Sequence, residues 1–277
     1  MFHFGRNWKN YVKNVVNEQV LREAQENLLN YLPKEVYKDA QFIDIGCGSG
    51  LFSLSALLLN CRKVVSFDID ENSLNAFKLL IQKFKEKLPV DYESRLKIFK
   101  GSILDPELVR NLSQNPFDIV YSWGVLHHTG NMWEAIKNAS KLTKRGGYFI
   151  IAIYNHAPTS PYWQKIKKFY NDHKLIQPIM ELLYATYVSI GFIVRRRTFK
   201  LRRERGMSVW YDAIDWIGGY PYEFACFDEV KNFVESLGFK LIKAPTVLPC
   251  GKNMKPKIWE IFRAPNTGCN EFVFKRF

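Results

Sequence analysis

Phe42-Ile43-Asp44-Ile45-Gly46-Cys47-Gly48-Ser49-Gly50 is the stretch that decides the fold. Apolar residues and one carboxylate lead into glycines at every second position, and Leu51 to Leu59 follow as a helix-forming run. A buried strand that breaks into a glycine loop and resumes as a helix presents unpaired backbone N–H groups to a ligand. Glycine suits the loop because a side chain would keep the ligand off the main chain. The stretch therefore predicts an α/β domain with a nucleotide-like ligand at this turn.

Working outward, strand and helix signals alternate through the first 155 residues. Gln41 to Ile45 is a strand and Gly50 to Asn60 a helix. Lys63 to Phe67 is a second buried strand that ends at Asp68. From Glu71 to Lys87 the apolar residues fall at helical spacing. Arg95 to Phe99 is a third strand, and Asp105-Pro106 opens a helix with an N-cap and a proline at its first position. Phe117 to Ser122 is strand four, Asn131 to Thr143 a helix, and Tyr148 to Tyr154 strand five. Such alternation implies right-handed crossovers and a parallel sheet covered on both faces. Residues 156–222 break the pattern with a helical, aromatic-rich insertion. A helix (Asp228 to Ser236) and two strands (Gly238 to Lys243, Glu271 to Phe277) complete the chain, with the last strand expected to run antiparallel. Residues 1–37 are expected to be a helical lid. The sheet domain is then 38–155 with 224–277, and 156–223 is a substrate-capping insertion.

Composition narrows the function. The net charge is +13, and residues 161–205 alone hold eleven Lys/Arg against three Asp/Glu. That excess suits an anionic partner, whether a phosphorylated substrate, nucleic acid or a membrane surface, or else a solvated basic face. Five cysteines without a C-x-x-C pair argue against a disulfide scaffold or zinc site and for a reducing compartment. The five histidines show no metal-site spacing. No signal-peptide core opens the sequence, so a cytoplasmic protein is expected.

The loop spacing selects the ligand. A dinucleotide loop needs G-x-G-x-x-G, which would place its third glycine at Leu51, whereas this chain has it at Gly50. The acid-preceded G-x-G-x-G form, Asp44-Ile45-Gly46-Cys47-Gly48-Ser49-Gly50, resembles class I S-adenosylmethionine-dependent methyltransferases, particularly the small-molecule branch that includes quinone-biosynthesis methylases. The resemblance runs from about Gln41 to Tyr154 and implies a Rossmann-like, doubly wound, seven-stranded sheet. It implies S-adenosylmethionine as cofactor, S-adenosylhomocysteine as product, and no metal. By that resemblance Asp44, Gly46, Cys47, Gly48 and Gly50 support the cofactor's amino end. Asp68, with Ile69 beside it, accepts from the ribose hydroxyls, because a carboxylate offers paired acceptors to a vicinal diol. Ser102, standing where the family more often has an acid, and Ile103 lie toward the adenine, and Trp123 flanks the methionine part. Arg6 and Trp8 are read as part of a lid over the cofactor.

The acceptor must then lie beside the strand-four exit and under the insertion. No (D/N)-P-P-(Y/F) segment follows strand four, as an amino-directed nucleic-acid enzyme would show; the chain has Ser122-Trp123-Gly124-Val125. Pro249-Cys250 lies in the last connection and is read as coincidence rather than a cytosine-C5 nucleophile. His127 and His128 are the acid–base candidates, because imidazole titrates near neutrality. Tyr154, Met207, Tyr211, Asp212, Asp215 and Tyr222 are candidate acceptor ligands, set among aromatics of the kind that line ligand pockets.

Leu175 to Val194 is largely apolar and is followed by Arg195-Arg196-Arg197, Lys200, Arg202, Arg203 and Arg205. Gln177, Pro178, Glu181, Thr186 and Ser189 argue against a membrane span. The expectation is a helix capping the active site with its apolar face on the core. The second reading is a membrane-surface helix, with peripheral contact through 175–205. The expected function is methyl transfer to a small-molecule acceptor at O, N or C, including sugar, phosphorylated and lipid-like metabolites. The alternatives are an RNA methyltransferase using the basic insertion, and a cofactor-binding protein without turnover.

Overall fold

The computed structural model describes residues 5–196, 209–257, 260 and 267–277. Seven strands form one sheet in the order β3-β2-β1-β4-β5-β7-β6. They are β1 (Gln41–Ile45), β2 (Lys63–Asp68), β3 (Leu96–Lys100), β4 (Phe117–Trp123), β5 (Thr143–Tyr154), β6 (Phe239–Thr246) and β7 (Cys269–Arg276). The β1–β5 pairs are parallel, and β7 runs antiparallel to both neighbours, as expected from its long preceding connection. The order reverses between β1 and β4, so the carboxyl ends of these two strands flank the crevice where open α/β sheets bind ligands.

The helices before the sheet are α1 (Gly5–Asn14), α2 (Glu18–Tyr31) and the single turn α3 (Lys34–Tyr37). Crossovers are made by α4 (Leu51–Leu58), α5 (Glu71–Lys83), the turn α6 (Tyr92–Arg95), α7 (Pro106–Ser113) and α8 (Met132–Lys141). The insertion contributes α9 (Ser160–Asp172), α10 (Gln177–Arg196) and α11 (Val209–Gly218), and α12 (Phe227–Ser236) returns the chain to the sheet.

Two apolar cores form, one including Leu54, Leu57 and Phe77, the other Ile136, Ala139 and Val230. Val20, Leu21, Ala24, Leu28 and Tyr31 of α2 are buried in the first, and the Tyr37 hydroxyl donates to the Leu28 carbonyl at 2.6 Å. Residues 18–37 thus belong to the sheet's covering layer, and Tyr11 and Val12 of α1 are buried in the same core.

Helix α10 also departs from expectation. It packs on α9 and α11 through a narrow seam, with Ala185 and Ser189 buried and Tyr184 stacked on Trp216. Ile179 and Leu183 are 60% and 66% exposed, and Leu182 and Ile190 also face outward. The apolar face expected against the core lies on the surface.

Candidate active site

The glycine loop is shaped by contacts on both sides. Gly46 has φ +73°, and a Cβ there would lie 2.3 Å from the Val125 side chain. The Gly46 and Cys47 N–H groups both donate to the Phe67 carbonyl, at 2.9 and 3.1 Å. Asp68 locks the loop from the end of β2: its carboxylate accepts from Gly48 N–H and Asp70 N–H, each at 2.9 Å. Asp70, not Asp68, is the N-cap of α5. A carboxylate has about four acceptor sites, so Asp68 keeps capacity for a diol. Burial raises its pKa, opposed by those backbone donors.

Asp44 is buried and turned toward α4, accepting from the Ser53 hydroxyl at 2.5 Å, with Ser66 donating to Ser53 behind it. Burial is the largest influence on Asp44 and lifts its pKa to about 7; the Ser53 bond opposes this and the charge of Asp68 adds to it. The buried Cys47 thiol is pushed well above its usual range, chiefly by burial. Ile69 is exposed beside the loop, and Ser102 accepts from Leu104 N–H at 3.2 Å. Ile103 is buried in the second core. The Trp8 indole, on α1, stands 3.1 Å from where a Gly48 Cβ would be. Trp123 donates through Nε1 to Glu271 at 3.1 Å, which ties the β4 exit to β7.

At the carboxyl ends of β4 and β5 the two histidines separate into different roles. His127 is fully buried; its Nδ1 accepts from Tyr154 N–H at 3.2 Å, and its ring lies 3.9 Å from the Tyr154 ring. That bond puts the proton of neutral His127 on Nε2, which has no hydrogen-bond partner among the described residues. Burial, then the charges of His128 and Lys167, push its pKa well down. His128 donates from Nδ1 to the Pro221 carbonyl at 2.6 Å, which makes Nε2 the basic nitrogen. Burial brings its pKa to about 4, the Pro221 bond opposing and Lys167 adding to the fall.

The sequence reading missed Lys167. It is fully buried on α9, with Nζ 4.0 Å from the Trp216 ring centroid and 4.8 Å from that of Tyr222, and has no hydrogen-bond partner among the described residues. Burial alone drives its pKa well down. Rings connect it to the histidines: Tyr222 lies 5.0 Å from Tyr154, which lies 5.4 Å from His128. The signal was available, since Ser160, Trp163, Lys167 and Tyr170 share the buried face of one helix. Glu223 was missed too. It caps α8 by accepting from Met132 N–H at 3.2 Å, its own N–H donates to the His127 carbonyl at 2.9 Å, and burial raises its pKa.

The structure thus brings His127, His128, Tyr154 and Tyr222 together and adds Lys167. Met207 lies outside the described residues, as do the side chains of Arg6, Tyr211, Asp212 and Asp215. Asp118, read with strand four, works at its opposite end, accepting from Gln41 N–H at 2.8 Å and pairing with Lys144. The expectation of no disulfide is corrected: Cys226 and Cys250, far apart in sequence, are bonded.

Residues 43–151 match the family described as "Methyltransferase domain". Over 146 residues the chain is 27% identical to a ubiquinone biosynthesis O-methyltransferase of Pelagibacter ubique, covering 52% of this chain and 51% of that protein. Over 94 residues it is 35% identical to a ribosomal protein L11 methyltransferase of Acinetobacter baylyi, covering 32% of this chain and 30% of that protein. The chain therefore spans about half the length of the first relative and under a third of the second. Among solved structures, magnesium protoporphyrin IX methyltransferase from Synechocystis PCC 6803 with bound S-adenosylhomocysteine superposes with a TM-score of 0.52 at 15% identity. That match covers 98% of this chain and 94% of the other, and it is a likeness of fold.

Proposed function

We propose that this chain, whose residues 43–151 match a methyltransferase domain, is a class I S-adenosylmethionine-dependent enzyme that methylates a small acceptor bringing an acidic oxygen group to Lys167. One observation carries the reading. A lysine buried among aromatic rings without a hydrogen-bond partner is costly unless something anionic joins it. An acidic oxygen group supplies that partner, and the rings of Trp216, Tyr222 and Tyr154 suit an aromatic or other planar acceptor.

The loop residues fit the cofactor. Asp68 has acceptor capacity for the ribose diol beside the Gly48 amide, Asp44 sits buried at the end of β1 just before the loop, and the Trp8 indole lies against Gly48. When bound, the cofactor supplies a sulfonium methyl open to in-line displacement. The residues of this chain do the rest. Lys167 orients the acceptor, and His128, with its basic Nε2, takes the proton of the acceptor hydroxyl. His127 holds the β5 end through Tyr154 N–H, and the surrounding rings exclude water. The exposed face of α10 and the basic tract after it support a peripheral contact with an anionic membrane surface, from which a lipid-like acid can be drawn.

Calorimetry with S-adenosylmethionine and S-adenosylhomocysteine tests the cofactor half, with Asp68→Ala expected to abolish binding. Tritiated-methyl labelling of extract fractions tests the acceptor half. Label in the small-molecule or lipid fraction supports the proposal, whereas label confined to RNA or protein overturns it.

A further inference from the structure

A second cluster of reactive side chains lies where the end of β5, the start of α12 and the connection after β6 meet. His156 follows β5, Cys226 is the N-cap of α12, and Glu229 is its third helical residue. Ligand atoms of these three lie within 4.8 Å of one another. Cys250, in the connection after β6, is bonded to Cys226 with the Cα atoms 5.2 Å apart, so a second sulfur reaches the same point. Two sulfurs, an imidazole and a carboxylate suit a tetrahedral zinc ion.

The backbone holds this arrangement independently of the sulfur–sulfur bond. His156 N–H donates to the Ala225 carbonyl at 3.1 Å, and Gly251 N–H donates to the His156 carbonyl at 2.6 Å. The Asn155 amide donates to the Pro249 carbonyl at 2.8 Å. Asn270, buried on β7, donates to Asn155 Oδ1 at 3.1 Å and accepts from Leu248 N–H at 2.7 Å. A Cβ on Gly251 would stand 2.1 Å from Pro158 Cδ, so the two segments are in contact at the backbone. With the backbone fixed, side-chain rotation suffices to separate the sulfurs to the roughly 3.8 Å that tetrahedral Zn–S bonds of about 2.3 Å require.

We propose that reduction of the Cys226–Cys250 disulfide opens a zinc site made by His156, Cys226, Glu229 and Cys250. The same three elements are then stapled by a covalent bond under oxidising conditions and by a metal ion under reducing ones. A dithiol reductant gives two electrons to the sulfur–sulfur bond and becomes a disulfide itself. The two thiols formed lose their protons to water as both thiolates bind the ion. Lys252 is the competitor, because its ammonium pairs with Glu229 and must swing away before that carboxylate ligates.

Cobalt(II) is the probe, added anaerobically to the full chain before and after dithiol treatment and removal of the reductant. Treatment is expected to raise the free thiols from three to five, since the disulfide holds the other two. The reduced protein should bind one cobalt ion with a thiolate-to-metal charge-transfer band and intense tetrahedral visible absorption, both erased by zinc. Cys250→Ser and His156→Ala should each weaken binding by roughly tenfold or more, and Lys252→Gln should strengthen it. Circular dichroism and a cooperative thermal transition establish that each variant folds. The proposal is overturned if the folded, reduced protein shows no charge-transfer band, or if both loss variants bind cobalt as the parent does. A thiol count that stays at three overturns it as well.

Discussion

Asp44 shows how one buried carboxyl sets the pH response of the candidate cofactor site. Its pKa of about 7 lies above the ordinary carboxyl value near 3.9 that it has in the unfolded chain. The folded state therefore holds the proton between about pH 4 and 7. The resulting stabilisation is complete at low pH and is lost as pH rises through 7. A cationic amino group brought to the glycine loop favours the ionised carboxylate instead. Cofactor binding should thus release a proton below pH 7 and tighten as pH rises toward 7; calorimetry in buffers of different ionisation enthalpy measures both. Asp44→Asn should flatten the dependence. Lys167 gives the opposite sign, because its folded pKa lies below the ordinary lysine value. The stabilisation associated with its neutral form grows as pH rises toward 10.4, and at pH 7 the buried amine is a cost. Lys167→Met should therefore raise the thermal midpoint at pH 7, by about 1–3 kcal/mol in stability, while methyl transfer to the acceptor falls at least tenfold. A variant that is less stable and equally active would remove Lys167 from the site.

Helix α10 shows what a sequence reading supplies at the scale of an element and what it lacks. Its existence and extent followed from composition, yet which neighbour would take its apolar residues was set by the positions of α9 and α11, which the chain does not encode locally. Gln177–Val194 has a mean hydropathy of 1.3 and is long enough to cross a membrane. One face nevertheless carries Glu181, which accepts from the Tyr170 hydroxyl, and the buried Ser189. The other face carries Ile179, Leu182, Leu183 and Ile190 into the open, and seven Lys/Arg follow between 195 and 205. That division fits a helix lying in the plane of an anionic surface better than one spanning it. The protein should co-sediment with vesicles containing phosphatidylglycerol and not with phosphatidylcholine alone. Leu182→Glu with Leu183→Glu should abolish this without altering cofactor affinity. Equal recovery with both vesicle types would refute the electrostatic part, and unchanged recovery of the double variant the apolar part.

For the whole molecule, the sheet was legible because its first four strands end at or just before Gly46, Asp68, Gly101 and Gly124, and Asp68 and Gly50 mark the candidate crevice. The histidine pair was legible as chemistry, but the division of labour between His127 and His128 depends on Tyr154 N–H and the Pro221 carbonyl, which only the fold delivers. The place of Lys167 on the buried face of α9 was legible, but its ring partners and the pairing of Cys226 with Cys250 were not, because those partners come from distant segments. The same distinction between local charge and assembled site governs how the net charge of +13 acts. Exposed lysines and arginines act through water and are screened within about 10 Å at 0.1 M salt, whereas Lys167 lies inside the protein and is screened far less. The chain should consequently retain RNA on filters at low ionic strength with a steep salt dependence, falling by about a thousandfold or more toward physiological salt if six or more phosphates are contacted. Turnover of its acceptor should change only modestly over that range, because Lys167, the contact proposed to select the acceptor, is buried. If methyl transfer fell in parallel with RNA retention, the basic insertion would be the acceptor site and Lys167 would not.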